Sequence, residues 1–166
     1  MKKTILLTGS TGVMGSAGLK ELVKLNDKFD ITLLVRPSAK NRRKMRLYAP
    51  LPFIRIVWGD LTCYEDVEES VKGADYVLHV GGMVSPKADK YPEETLRVNI
   101  TAAENIVQAV KAQPNADEIR VVYIGSVAQT GHRCPPIHWG RTGDPINVSV
   151  YDHYAISKCI AERIFA

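Results

Sequence analysis

At 166 residues, 45% of them hydrophobic and 24% charged, the chain has the length and composition of one soluble globular domain, and it has no apolar run of the length a membrane span needs. A net charge of +4 is too mild to argue for a nucleic-acid partner. Three cysteines (Cys63, Cys134, Cys159) with no C-x-x-C pair argue against a disulfide framework and fit a reducing, cytoplasmic setting; the apolar run after Lys2-Lys3 stops at Gly9, too soon for a signal peptide.

In chain order, residues 4–8 read as a short buried strand. The Gly-rich segment Gly9-Ser10-Thr11-Gly12-Val13-Met14-Gly15 follows at once, and Ala17, Leu19, Leu22, Val23 and Leu25 then recur at helical spacing, which predicts a helix over residues 12–25. A second strand is expected at 30–35, followed by a basic run, residues 40–46, read as a solvated loop close to a cofactor phosphate. Strands at 54–58 and 76–80 flank a short helix at 64–71. A loop with Gly81, Gly82, Pro86 and Pro92 precedes a long helix over 93–112, whose Leu96, Ile100, Ala103, Ile106, Val107 and Val110 form an apolar stripe read as core packing. A fifth strand at 120–124, a long polar loop and a last helix starting near Tyr151 complete the chain. Alternation of apolar strands with helices implies an α/β fold: a Rossmann-type, doubly wound parallel sheet with helices on both faces, in a single domain spanning 1–166. Ligands of such sheets bind beyond the carboxyl ends of the strands, at the point where strand order reverses.

The motifs fall at those ends. Strand, Gly-rich turn and helix is the context of a dinucleotide fingerprint: Gly9 permits the turn, Gly12 lets backbone approach a pyrophosphate, and Gly15 lets the helix pack close on the strand, while the helix N-terminus offers N–H groups to phosphate. The spacing here is G-x-x-G-x-x-G. Arg36 ends the second strand 21 residues after Gly15, where an NAD site places an acid on the ribose 2′-hydroxyl; with Lys40 and Arg42 behind it and no acid nearby, the pattern predicts NADP(H), with NAD(H) as the alternative. Gly59-Asp60-Leu61 ends the third strand and offers a carboxylate to an adenine amino group. His79-Val80-Gly81-Gly82 ends the fourth; its glycines admit the adenosine half, and His79 is read as a packed histidine. Asn99, unfavourable in mid-helix, is read as bracing the loop after that strand. Ser126, after the fifth strand, either hydrogen-bonds a reacting carbonyl oxygen or caps its loop.

Tyr154 and Lys158 stand four apart, one turn from each other on one helix face. A free phenol titrates near ~10, and an adjacent ammonium favours its phenolate, so the pair suits proton transfer on a carbonyl/alcohol couple. The loop over 129–152 carries His132, Cys134 and His138 without metal-ligand spacing, so no metal is expected, and Trp139 and Arg141 are candidate substrate contacts at a pocket rim.

Together, Thr8 through Gly15, Gly59-Asp60-Leu61, His79-Val80-Gly81-Gly82, Asn99, Gly125-Ser126 and Tyr154 with Lys158 resemble, in order and spacing, the extended short-chain dehydrogenase/reductase family, which includes nucleotide-sugar epimerases, dehydratases and dihydroflavonol-reductase-like ketoreductases. The resemblance implies Tyr154 as acid/base, Lys158 lowering its pKa and holding the nicotinamide ribose, Ser126 polarising a small-molecule carbonyl, Asp60 and Leu61 at the adenine, Val80 and Gly81 at the adenosine, and Ser10, Thr11, Val13 and Met14 completing the phosphate turn. Arg36 and Lys40 resemble the NADP-using branch. Epimerisation or dehydration with NAD, and dinucleotide binding without turnover, are the rival readings. Gly81-Gly82 stands where the family usually has alanines. The family also continues past the Tyr/Lys helix, so a C-terminal substrate domain is expected to be missing. Homodimerisation through the long helix and the Tyr/Lys helix, using Ile100, Val107, Ile160 and Ile164, is a further expectation from the family.

Overall fold

The computed structural model describes residues 2–131, 143 and 146–166. The expected contacts at His132, Cys134, His138, Trp139 and Arg141 lie outside the described residues. By its contacts the chain divides into two compact units: the described residues up to Gly81 with Asn105–Ile124, and those of Gly82–Glu104 with Gly125–Ala166.

The first unit contains the whole sheet: β1 (Lys3–Thr8), β2 (Phe29–Val35), β3 (Ile54–Trp58), β4 (Tyr76–His79) and β5 (Arg120–Tyr123), all parallel in the order β3-β2-β1-β4-β5. Successive strand residues point to opposite faces. Ile5, Leu6, Leu7 and Thr8 in β1 and Ile31 through Val35 in β2 are all buried, so both faces of the central strands are covered. This is why those strands read as unbroken apolar runs instead of alternating ones. Helices α1 (Val13–Lys24), α2 (Ala39–Met45) and α3 (Tyr64–Val71) follow β1, β2 and β3. The chain winds outward from β1 to β3 and then returns to the other side of β1 with β4, so the reversal lies between β1 and β4.

The basic run expected to be a loop is the helix α2. Ser38 caps it, its side chain accepting from Asn41 N at 3.1 Å, and Met45 is buried beneath it. Its Arg42 guanidinium lies 4.6 Å from the centre of the Trp58 ring. A single apolar anchor and a cap suffice here, where the charge run alone suggested solvent.

In the second unit the loop after β4 contains a four-residue helix, α4 (Lys87–Lys90), which the sequence reading left as loop. The long helix α5 (Pro92–Lys111) starts in this unit and ends in the first, opening on a proline where a missing N–H costs nothing. Its buried face is Thr95, Asn99, Ala102, Ala103, Ile106, Ala109 and Val110; Leu96, Ile100 and Val107, expected in the core stripe, are half-buried at its flank. A 3-10 turn at Ala116–Glu118 precedes β5, a second at Val127–Thr130 follows it, and α6 (His153–Phe165) begins at its cap Asp152, whose Oδ1 accepts from Ala155 N at 2.9 Å.

Candidate functional site

The glycine turn is built as its spacing requires. Gly9 has φ +72°, a left-handed conformation, and Gly12 N donates back to Gly9 O at 2.9 Å. A Cβ on Gly9 would stand 2.7 Å from Gly81 N and 2.9 Å from the Val80 carbonyl carbon, so the turns after β1 and β4 touch at the reversal point with no room for a side chain. A Cβ on Gly15 would run into the Gly9 carbonyl, which explains the third glycine. Gly12 caps α1 without any side chain over the first-turn N–H groups, and Val13 and Met14 are exposed beside it. Ser10 Oγ is buried at 1% exposure and has no hydrogen-bond partner among the described residues. Uncapped helix N–H groups, a cradle that a Cβ would fill and one buried, unpartnered hydroxyl together fit a dinucleotide pyrophosphate.

Thr8 ties the same two turns. Its Oγ1 accepts from Val80 N at 3.2 Å and Gly81 N at 3.0 Å and lies 2.9 Å from His79 Nδ1. A hydroxyl with both lone pairs engaged must donate to its third neighbour, so Nδ1 is the acceptor and the His79 proton sits on Nε2. His79 is 2% exposed and stacks on Tyr123 at 5.9 Å, the packed role expected of it.

At the end of β2, Arg36 is exposed, and its carbonyl accepts from Asn41 Nδ2 at 2.9 Å. Lys40 is exposed on α2, and Lys44 Nζ donates to Thr11 O at 2.6 Å, bringing a third cation to the glycine turn. At the end of β3, Asp60 Oδ1 accepts from Thr62 N at 2.9 Å and Thr62 Oγ1 at 2.8 Å, so one carboxylate oxygen already serves its own turn. Asp66 Oδ2 accepts from Asp60 N at 2.8 Å, and Asn105 Nδ2 donates to Leu61 O at 2.9 Å. Leu61 also walls the β4 turn, since a Cβ on Gly81 would lie 2.7 Å from its Cδ1.

In the second unit Asn99 is 5% exposed. Its Oδ1 accepts from Met83 N at 2.7 Å, and its Nδ2 donates to Met83 O at 3.1 Å and Ser157 Oγ at 2.9 Å. It braces the loop after β4, as expected. A Cβ on Gly82 would stand 2.9 Å from Asn99 Oδ1, so the second glycine of that motif leaves space for the brace. Ser126 caps the 3-10 turn: its Oγ accepts from Ala128 N at 3.2 Å and its N donates to Gln129 Oε1 at 2.6 Å. With its oxygen held as an acceptor, the hydroxyl keeps a proton to give, so the two sequence readings of Ser126 are compatible. Gln129 Nε2 donates to Glu162 Oε2 on α6. Tyr154 and Lys158 are half-buried one turn apart on α6, and Ser157 Oγ donates to Tyr154 O at 2.7 Å. Burial lowers the Lys158 ammonium from 10.5 to about 8.

Among the described residues no group of three or more His, Cys, Asp or Glu could hold a metal, Cys63 and Cys159 are free thiols, and no helix is long and apolar enough to cross a membrane. The bonds made by Thr8, Asn105 and Glu162 escaped the sequence reading because their partners are 33 to 73 residues away, where linear spacing carries no signal. Asp66 and Gln129 were missed although their partners are near, and for Gln129 the Ser-x-x-Gln spacing of a capping box was the available signal.

Residues 5–166 match the NAD dependent epimerase/dehydratase family. The chain belongs to this family. It is 32% identical over 111 residues to a UDP-glucose 4-epimerase of Rickettsia akari (strain Hartford), a match covering 64% of this chain and 32% of the relative. Among solved structures, the UDP-Glc/GlcNAc 4-epimerase of Campylobacter jejuni superposes with a TM-score of 0.80 at 18% identity, over 98% of this chain and 47% of that one. The Bordetella bronchiseptica enzyme WbmH, in complex with NAD+, gives 0.78 at 22%, over 99% and 52%. At these identities the solved structures speak for the Rossmann-type fold. The chain spans about a third of the length of the curated relative and about half of the solved ones.

Proposed function

We propose that this chain supplies the dinucleotide-binding and acid–base residues of an enzyme that moves hydride between NADP(H) and a small-molecule carbonyl/alcohol couple. The observation that carries the acid–base part is the half-buried Lys158, lowered to about 8, one turn from Tyr154 on α6. Near neutral pH this ammonium is still charged, so it stands as a cation one helical turn from the phenol.

The dinucleotide, when bound, gives or takes the hydride. Tyr154 gives its phenolic proton to the substrate oxygen in reduction and takes it back in oxidation. Ser126 donates a hydrogen bond to the same oxygen, keeping its own proton, and stabilises the charge that develops there. The N–H groups at the start of α1, with Gly9 through Gly15, hold the pyrophosphate. Asp60, Leu61, Val80, Gly81 and Gly82 line the adenosine half, and Asn99 keeps the β4 loop in place. Arg36 and Lys40 take the ribose 2′-phosphate. What supports NADP(H) over NAD(H) is the absence of any acid between Arg36 and Arg46, at the place where an NAD site needs one. Cytoplasmic location, and dimerisation through the half-exposed Ile100, Val107, Ile160 and Ile164, complete the reading.

The relatives named as UDP-glucose 4-epimerases favour a second reading, in which the same residues would hold NAD and the substrate would be a nucleotide sugar that is epimerised with no net redox change. Parallel titration of the chain with NADPH and NADH, followed by a screen of aldehydes, ketones and UDP-glucose, separates the two. Tighter NADPH binding with carbonyl reduction is expected. Tighter NADH binding with epimerisation of UDP-glucose would replace the first reading by the second, and binding of neither would remove both from this chain.

A further inference from the structure

We infer that Gln129 and Glu162 are positioning residues that register Ser126 against the face of α6 carrying Tyr154 and Lys158. The inference rests on the reading of those three residues as the acid–base site. Tyr154, Lys158 and Glu162 follow one another at intervals of four, so at 3.6 residues per turn they lie along one side of α6 within an arc of ~80°. Glu162 is therefore fixed in direction by the same helix that fixes the phenol and the ammonium. Its carboxylate accepts from Gln129 Nε2, and the other end of that amide, Oε1, accepts from Ser126 N at 2.6 Å.

The amide works as a relay with a defined polarity. It must accept at the Ser126 end and donate at the Glu162 end, and only a side chain carrying both functions at that length meets both demands. Gln129 is 5% exposed, which shields its amide, while Glu162 on α6 is exposed. Gly125 clears the way: a Cβ there would stand 2.9 Å from Gln129 Oε1 and 3.9 Å from Glu162 Oε2. The Ser126 hydroxyl is oriented in turn by Ala128 N, within the 3-10 turn that Gln129 closes. Movement of this turn relative to α6 would carry Ser126 Oγ away from any substrate oxygen that Tyr154 addresses.

The polarity supplies the test. Gln129→Glu keeps the acceptor for Ser126 N but sets a carboxylate against Glu162. Gln129→Glu with Glu162→Gln restores the bond with donor and acceptor exchanged. The readouts are hydrogen exchange of the Ser126 amide, the NADPH dissociation constant, and kcat and KM for whichever carbonyl of the screen the wild-type chain reduces. The single variant should speed Ser126 exchange and lower kcat about 10- to 100-fold with NADPH affinity unchanged, as loss of alignment does, and the double variant should recover both to within about threefold of wild type. Unchanged kcat in the single variant, or no recovery in the double, would overturn the inference. If the wild-type chain reduces nothing, Ser126 exchange alone decides the relay: slow in wild type and double variant but fast in the single supports it, and equal rates in all three refute it.

Discussion

Asn99→Ala tests whether the loop after β4 is held by one buried amide. The substitution removes three hydrogen bonds, to Met83 N, Met83 O and Ser157 Oγ, at 2.7, 3.1 and 2.9 Å. Ser157 still has Tyr154 O as acceptor, so it loses little. Met83 loses the partner of its N–H and of its carbonyl together, and each buried, unpaired backbone group costs about 1–3 kcal/mol. Alanine returns about 0.5 kcal/mol through its better helix propensity. The net loss is about 1.5–5.5 kcal/mol, which for a chain of this size corresponds to a fall in Tm of roughly 3–20 °C. Asn99→Asp should cost at least as much, because it keeps the acceptor for Met83 N but turns a carboxylate towards Met83 O. Urea denaturation followed by circular dichroism measures both variants. An Asn99→Ala chain within about 0.5 kcal/mol of wild type would refute the reasoning, since it would mean that Met83 finds equivalent partners without the amide.

Gly9 and Gly73 share nearly the same φ, +72° and +74°, but only Gly9 has atoms where a Cβ would go. Gly73→Ala should therefore cost about 1–2 kcal/mol of backbone strain, and Gly9→Ala at least ~2 kcal/mol more together with dinucleotide binding, both measurable by urea denaturation and NADPH titration. Because Lys158 is lowered in the folded chain from 10.5 to about 8, the unfolded chain holds a proton that the folded one has released between those values. Stability should rise with pH across that window, and Lys158→Met should flatten the rise in denaturation curves taken from pH 7.5 to 10. Arg36→Asp should weaken NADPH binding about 10- to 100-fold and leave NADH binding equal or tighter in parallel titrations, and an unchanged ratio would remove Arg36 from the phosphate site.

Elements with a local apolar pattern were legible in the sequence, and elements held by a few polar contacts were not. Strand β3 and helix α3 have the same ends as the apolar pattern predicts, and β1, β2, β4 and β5 differ by one residue. Helix α2 escaped because its evidence was one buried methionine, one serine cap and an arginine whose partner, Trp58, lies 16 residues on. On α5 the pattern of large side chains pointed to Leu96, Ile100 and Val107, but the buried face is centred on Thr95, Asn99 and three alanines, where small residues permit close packing and the asparagine has a backbone to hold. The glycine turn and the Tyr154–Lys158 pair were legible because their spacing is local. The bonds of Thr8, Asn105 and Glu162 were not, because each partner is fixed only when the chain has folded, whereas Gln129 was missed although Ser126-x-x-Gln129 has the spacing of a capping box.

These polar residues share one task, which points back to Ser10. In the loop after β3 the buried Asn105 holds Leu61 O; after β4, Thr8 holds Val80 N and Gly81 N, and Asn99 holds Met83; after β5, Gln129 holds Ser126 N. Each loop at the carboxyl ends of these strands is thus fixed by a buried hydroxyl or amide that bonds its backbone. In the loop after β1 the buried hydroxyl is Ser10, and it alone among the described buried side chains has no partner. A hydroxyl buried without a partner costs about 1–3 kcal/mol, and replacing it by a methyl-sized group removes that cost. Ser10→Ala should therefore raise the Tm of the free chain or leave it unchanged. If the hydroxyl is kept for the dinucleotide, the same variant should weaken NADPH binding about 5- to 50-fold, so that stability and affinity move in opposite directions. Calorimetric titration beside thermal unfolding decides it: a lower Tm would show that the hydroxyl is satisfied inside the protein, and an unchanged affinity would separate Ser10 from the phosphate turn.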